Sequence, residues 1–215
     1  MKNIKALTLA LLVALFSSSY ALAEFAVGVS GAIADIEASG TETEGGESTS
    51  GSADNQAAVF SVFAEYSPGF VSGLTLGVDY IPGSADVSNE VKTRNDTETS
   101  VTSTTTNTST ARKQEAQAAI EDHMTLYAQY EIMGSGVYVK AGYVQVDVNT
   151  LESLPTGSKY GNVDLDGVLL GIGAQADMGD NGFMRIELST TDYDDISITS
   201  SVARAGVTGN NKIAG

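Results

Sequence analysis

Residues 123–143 read His123-Met-Thr-Leu-Tyr-Ala-Gln-Tyr-Glu-Ile132, Met133-Gly-Ser-Gly136, Val137-Tyr-Val-Lys-Ala-Gly-Tyr143. Met124, Leu126, Ala128, Tyr130 and Ile132 alternate with His123, Thr125, Tyr127, Gln129 and Glu131. After a short glycine-containing turn, Val137, Val139, Ala141 and Tyr143 alternate with Tyr138, Lys140 and Gly142. Period-two alternation on both sides of a tight turn predicts an antiparallel β-hairpin.

The same pattern recurs outward from this hairpin. Phe25, Val27, Val29 and Ile33 oppose Ala26, Gly28, Ser30 and Ala32. Ala58, Phe60, Val62, Ala64 and Tyr66 oppose Ser61 and Glu65. Leu74, Leu76, Val78 and Tyr80 oppose Thr75, Gly77 and Asp79. Val168, Leu170, Ile172 and Ala174 oppose Gly171, Gly173 and Gln175. Met184, Ile186 and Leu188 oppose Arg185, Glu187 and Ser189. These make seven runs, and runs of 9–11 residues suit a tilted transmembrane barrel strand. Tight connections (67–73, 133–136, 178–182) alternate with long polar ones (near 37–55, 83–115, 148–163 and 194–211). Short turns at one end and long loops at the other are the arrangement of outer-membrane barrels. Arg112–Glu121, rich in Ala, Gln and Glu, has the composition of a short helix. It is read as loop, or as an extension of the fourth strand.

Period two alone does not say which face is inside. A lipocalin-like soluble barrel puts the apolar set within; a membrane barrel reverses it. Three features favour the reversed version. The polar face is rich in glycine (Gly28, Gly77, Gly142, Gly171, Gly173), as a crowded interior requires. Aromatics fall at the two ends of the apolar face, Phe25, Tyr66 and Tyr130 at one and Tyr80 and Tyr143 at the other. Polar-face charges of both signs, Glu65, Glu131, Lys140, Arg185 and Glu187, lie within a few residues of the short turns. They are expected to form an interior polar cluster. The absence of Trp weighs slightly the other way.

The chain has 215 residues and no cysteine, which excludes disulfides, thiolate metal sites and cysteine nucleophiles. Lys2 and Lys5, the apolar run Ala6–Phe16 and the small-residue site Ala21-Leu-Ala23 read as a secretory signal peptide over residues 1–23. The apolar run is too short to span a bilayer as a helix. Residues 24–215 then form the barrel domain, with 9 basic and 27 acidic residues after loss of Lys2 and Lys5. So acidic a surface argues against nucleic acid as a partner. It suits divalent cations at the acidic loops, or simply a solvated, self-repelling surface.

Leu74-Thr-Leu-Gly-Val-Asp-Tyr80 and Val137-Tyr-Val-Lys-Ala-Gly-Tyr143, set among the seven amphipathic runs, resemble small outer-membrane β-barrel proteins. The types are the transmembrane domain of outer-membrane protein A, the outer-membrane protein X type and the opacity type. The resemblance covers residues 24–215. It implies an all-β, antiparallel up-and-down transmembrane barrel of eight strands in the bacterial outer membrane. It implies outer-membrane lipid, lipopolysaccharide and the barrel-assembly machinery as partners. The expected function is structural and surface-exposed, without enzymatic activity or cofactor; the alternatives are a small passive pore and a lipid A-modifying enzyme. Fold alone does not choose among them.

Two departures stand out. No residues remain for a second, periplasmic domain, and the chain stops at Lys212-Ile-Ala-Gly215 instead of a final strand ending in an aromatic residue. Single-chain bacterial barrels have an even number of strands, so the sequence reads as lacking most of its last one.

Other candidate chemistry is thin. His123 and Thr125 have the spacing of a barrel deacylase pair but fall on the polar face. Asp192, Asp194 and Asp195 flank Tyr193 without calcium-loop spacing. Gly171-Ile-Gly173 lies inside a strand and is no phosphate loop. No catalytic or metal residue is assigned.

Overall fold

Alternation becomes strand along most of the chain. The computed structural model describes residues 25–44, 47–88, 91–101, 107–153, 159–179, 182–201 and 212–214. The signal-peptide reading of 1–23 lies outside them. The strands are β1 (Phe25–Glu44), β2 (Glu47–Tyr66), β3 (Leu74–Asp86), β4 (Lys92–Val101), β5 (Asn107–Glu131), β6 (Val137–Ser153), β7 (Val163–Asp177), β8 (Phe183–Tyr193), β9 (Ser197–Thr199) and β10 (Lys212–Ala214). All pairings are antiparallel. The sheet order is β8-β7-β6-β5-β3-β2-β1-β10-β9, with β4 branching from β5. Seven long up-and-down strands, β1, β2, β3, β5, β6, β7 and β8, make an all-β, incomplete barrel, with no helix among the described residues.

The two faces of the curled sheet are sorted as the glycine-rich face implied. Val27, Phe60, Leu76, Leu126, Val139, Leu170 and Ile186 all point outward, from 44% exposed at Leu76 to 73% at Phe60. Glu65, Lys140, Arg185 and Glu187 point inward and are at most 7% exposed. A water-soluble barrel would carry these two sets the other way round.

Away from the short turns the sorting inverts. On β6 the inward positions run Tyr138, Lys140, Gly142 and then Val144, Val146, Val148, while Gln145 and Asp147 face outward. On β7, Leu165 is buried while Asp164 and Asp166 flank it on the opposite face. Val144, Val146, Val148, Leu165, Leu169 and Tyr193 form a hydrophobic core inside this upper part, with Ala118, Ile120, Val163 and Ile196 against it. The upper barrel is therefore built like a soluble protein.

This corrects the reading of the long connections as loops. The β1–β2 hairpin is paired from Phe25↔Tyr66 up to Glu44↔Glu47. Residues 92–101 form β4, laddered on β5 from Lys92↔Ala116 to Val101↔Asn107. Arg112–Glu121 is strand, an extension of the strand below it. Pairing with β4 and β6 supplies its backbone partners and overrides the helical lean of its composition. A bulge near Asp122, whose φ is +50°, re-phases this strand. Below it the inward residues are odd-numbered (Thr125, Tyr127); above it Ala118 and Ile120 pack against the core.

Four interior glycines sit directly across from an aromatic residue: Gly28↔Phe63, Gly77↔Tyr127, Gly173↔Tyr138 and Gly167↔Tyr193. The ring lies over the glycine, so that a Cβ there would fall inside the ring's van der Waals envelope. Rings laid on cross-strand glycines fill a lumen too narrow for two large side chains abreast. Gly77→Ala is therefore expected to destabilise by about 1–3 kcal/mol through overpacking, measured by thermal unfolding in micelles. Gly161→Ala, with open space around its Cα, serves as control. In a Tyr127→Ala background the Gly77→Ala penalty should largely vanish; an unchanged penalty would rule out the ring as its cause.

Candidate functional site

Two three-strand rows build the lower lumen. In the first, Glu65 on β2, Gly77 on β3 and Tyr127 on β5 are successive register partners. Tyr127 crosses the glycine and its hydroxyl donates to Glu65 Oε1 at 2.7 Å. In the second, Tyr138 on β6, Gly173 on β7 and Glu187 on β8 repeat the arrangement. Tyr138 donates to Glu187 Oε2 at 2.8 Å. In each row the glycine is what lets a tyrosine reach a carboxylate two strands away.

Cations complete the rows. Arg185 makes a forked pair with Glu65, Nη1 to Oε1 at 2.7 Å and Nη2 to Oε2 at 3.1 Å, and also donates to Gln175 Oε1 at 2.7 Å. Lys140 Nζ lies 3.2 Å from Glu187 Oε1 and 4.0 Å from the centroid of the Tyr127 ring. The Arg185 guanidinium lies near the rings of Phe183, Tyr138 and Phe63, at 4.7, 5.1 and 5.9 Å. Cation–π contacts strengthen where water is excluded, as here. Beside this cluster Ser61 donates to Asp79 Oδ2 at 2.6 Å and shares a hydrogen bond with Ser30.

The structure thus brings together Glu65, Lys140, Arg185 and Glu187. Glu131 stands apart from them. It is the last residue of β5, and its Oε1 accepts from Gly136 N–H at 2.8 Å, closing the β5–β6 turn. Sequence reasoning did not assign Tyr127, Tyr138, Phe63, Phe183, Gln175 or Asp79. Their parity placed Tyr127, Tyr138, Gln175 and Asp79 on the polar face, but the partners emerge only with the strand registers.

Above the cluster lies a lumen cavity of about 400 Å³ whose lining includes Ala32, Ala34, His123, Thr125, Leu169 and Tyr193. His123 and Thr125 thus face the lumen, away from the outer wall. At the upper end of β8, Tyr193 turns into the core while Asp192 remains exposed. Among the described residues no three acidic or imidazole side chains converge on a point that would hold a metal ion.

The cluster joins first-half and last-half strands through charges that neutralise one another. Comparison with family models, curated proteins and solved structures gives no match to this chain.

Buried pairs are costly to break singly, because the abandoned charge stays desolvated. Arg185→Met should destabilise by about 3–5 kcal/mol. Adding Glu65→Gln should recover a large part of that loss, whereas adding Glu187→Gln should not. Chemical denaturation in micelles reads all three variants. Equal recovery by the two second changes would count against the pairing.

Proposed function

We propose that this chain is an outer-membrane barrel, exported through a cleaved signal peptide, with a structural, surface-displaying role and no enzymatic activity. The observation that carries this reading is the outward apolar belt and its bounded height. On β1 the belt runs from Phe25 to Ile33, after which Asp35 and Glu37 take the outward positions. The register partners on β2 change together with it: Ile33 pairs with Ala58, and Asp35 with Gln56. On β6 and β7, Tyr143↔Val168 is followed by Gln145↔Asp166 and Asp147↔Asp164. Nine residues from Phe25 to Ile33 make roughly 30 Å of strand, or about 23 Å of height at a tilt near 40°. That matches the apolar band of about 25 Å on outer-membrane barrels.

The edges of the belt support the same reading. Phe25, Tyr66, Tyr130 and Met133 are exposed at the short-turn end. Tyr80 and Tyr143 lie at the other, and the Tyr80 hydroxyl donates to Asp122 Oδ1 at 2.6 Å. Amphipathic rings at both boundaries suit the headgroup levels of a bilayer. Above the belt the soluble-type upper barrel and its acidic hairpins stand in water, displayed at the cell surface. Lipopolysaccharide and lipid would contact the belt, and the assembly machinery would insert it.

The ionic cluster favours a plugged barrel over a pore. An eight-stranded barrel has room for side chains and little else, and here rings and ion pairs occupy the lower lumen.

The chain has no cysteine, so single-cysteine spin labels report without background. Labels replacing Leu126 and Leu170 in lipid vesicles should be accessible to oxygen and shielded from a water-soluble nickel chelate. Labels replacing Gln145 and Asp147 should show the opposite. If both sets respond like water-exposed sites, the membrane reading fails. In planar bilayers no discrete conductance steps are expected, and their appearance would replace the plug with a pore.

A further inference from the structure

The cavity above the ionic cluster has a window in its wall. β2 and β3 are laddered from Tyr66↔Leu76 up to Val62↔Tyr80, where the pairing stops. Higher up, Asn55 Nδ2 donates to the Asp86 carbonyl at 2.6 Å and ties the two strands again. Between these ties the register of β3 shifts from Ile81 to Ser84. That stretch holds Pro82, which has no N–H for a ladder, and Gly83 at a φ of +99°. One continuous space runs through the gap. Its lining includes interior Ala32 and Leu169 and, on the outer face of β2, the exposed Ala58 and Phe60.

Inside, small residues make the room and the charge is one-sided. Ser30, Ala32, Ala34 and Ala57 line about 400 Å³ together with Leu169 and Tyr193, a volume suited to a small organic molecule. Of the charged residues in the lining, Asp79, Asp86, Glu121 and Glu187 are acidic and Lys140 is basic. Lys140 is taken by Glu187 at 3.2 Å. Asp79 accepts from the neutral Ser61 hydroxyl at 2.6 Å, and no cation pairs with it among the described residues. On the neighbouring β5, Thr125 is opposite Asp79 and His123 opposite Ile81, so His123 stands two register steps above the carboxylate. Its Nδ1 is buried without a hydrogen-bond partner. A pocket with one sign of charge and low-dielectric walls concentrates the counter-ion.

We propose that this cavity binds an organic ammonium ion carrying an apolar body, its head at Asp79 and its body against Ala32, Ala34 and Leu169. The head supplies the cation that Asp79 lacks, and an ammonium has a further N–H to offer the His123 side of the pocket. The body exchanges water for apolar wall. An organic anion would meet unpaired carboxylates, with Lys140 already engaged. A bare metal ion finds no three converging acidic or imidazole ligands among the described residues. The β2–β3 window gives access that bypasses the ion pairs below. The cavity and its charge are the same whichever solvent surrounds the sheet, so the inference stands apart from the membrane reading above.

The test uses three probes with one ring and three heads: phenethylamine, phenethyl alcohol and hydrocinnamate, which are cationic, neutral and anionic at neutral pH. Methyl NMR of the full chain in micelles reads them at a defined place, through contacts from the probe ring to the methyl groups of Ala32, Ala34 and Leu169 and through saturation of their shifts. Phenethylamine should give those contacts and saturate. The alcohol should bind at least tenfold more weakly, and hydrocinnamate should give no contacts. Asp79→Asn should weaken the amine at least tenfold and leave the alcohol within twofold. Ala34→Leu, which fills the cavity, should weaken amine and alcohol alike. Contacts from none of the probes, or an amine that binds the unaltered chain no better than the alcohol, would overturn the proposal without recourse to a variant. So would a folded Asp79→Asn chain that keeps the full preference for the amine.

Discussion

The forked pair between Arg185 and Glu65 ties the two halves of this fold together. It joins residues 120 apart in sequence, one on β2 and one on the last long strand. A seven-stranded sheet with right-handed twist curls by itself, but twist alone does not bring β8 back towards β2. The guanidinium does so within a cage of Phe183, Tyr138 and Phe63. Tyr127 donates to Glu65 Oε1, the same oxygen that Arg185 Nη1 contacts, so the carboxylate is fixed in direction as well as distance. Buried pairs add little net stability. What this one adds is closure: every wrong register of β8 would leave a desolvated charge.

Glycine makes that closure sterically feasible. Each tyrosine in the cluster reaches its carboxylate by lying flat over the glycine of the intervening strand, and the same device recurs at Gly28 and Gly167. The interior therefore contains large rings without the width that large rings abreast would need. Higher up, the inward positions change from charged and glycine-rich to valine and leucine, while the outward positions change from apolar to acidic. One continuous set of strands thus carries two opposite polarity schemes, divided at Tyr143 on β6 and Val168 on β7.

Much of the architecture was readable from alternation. The seven runs and their tight turns are the long strands of the structure, and glycine on the polar face named the inside. The cluster was readable in part. Parity and nearness to the short turns selected Glu65, Lys140, Arg185 and Glu187, and selected Glu131 by the same criteria. Glu131, at the strand end, is drawn instead to a backbone donor of the turn, Gly136 N–H, which no parity argument reveals. Partner choice was beyond the sequence because it depends on registers between β2, β3, β5 and β8. The upper barrel was missed for another reason. Gly, Ser and Glu in 37–55, and Ala, Gln and Glu in 112–121, carry weak strand preference, and pairing with neighbours decides their conformation. At Tyr143-Val144 two apolar residues stand side by side and the apolar set passes from odd to even positions, so the boundary is written in the sequence as a phase slip that counting runs of alternation alone passes over.

The central claim is that the seven long strands cross a bilayer with their apolar faces in lipid. Polarised infrared spectroscopy of the protein in oriented membranes measures this directly through the dichroism of the amide I band. A crossing barrel predicts antiparallel-sheet bands with a mean strand tilt of roughly 35–45° from the membrane normal. Strands lying near the membrane plane, or the loss of ordered dichroism after an alkaline wash that strips peripheral proteins, would contradict it.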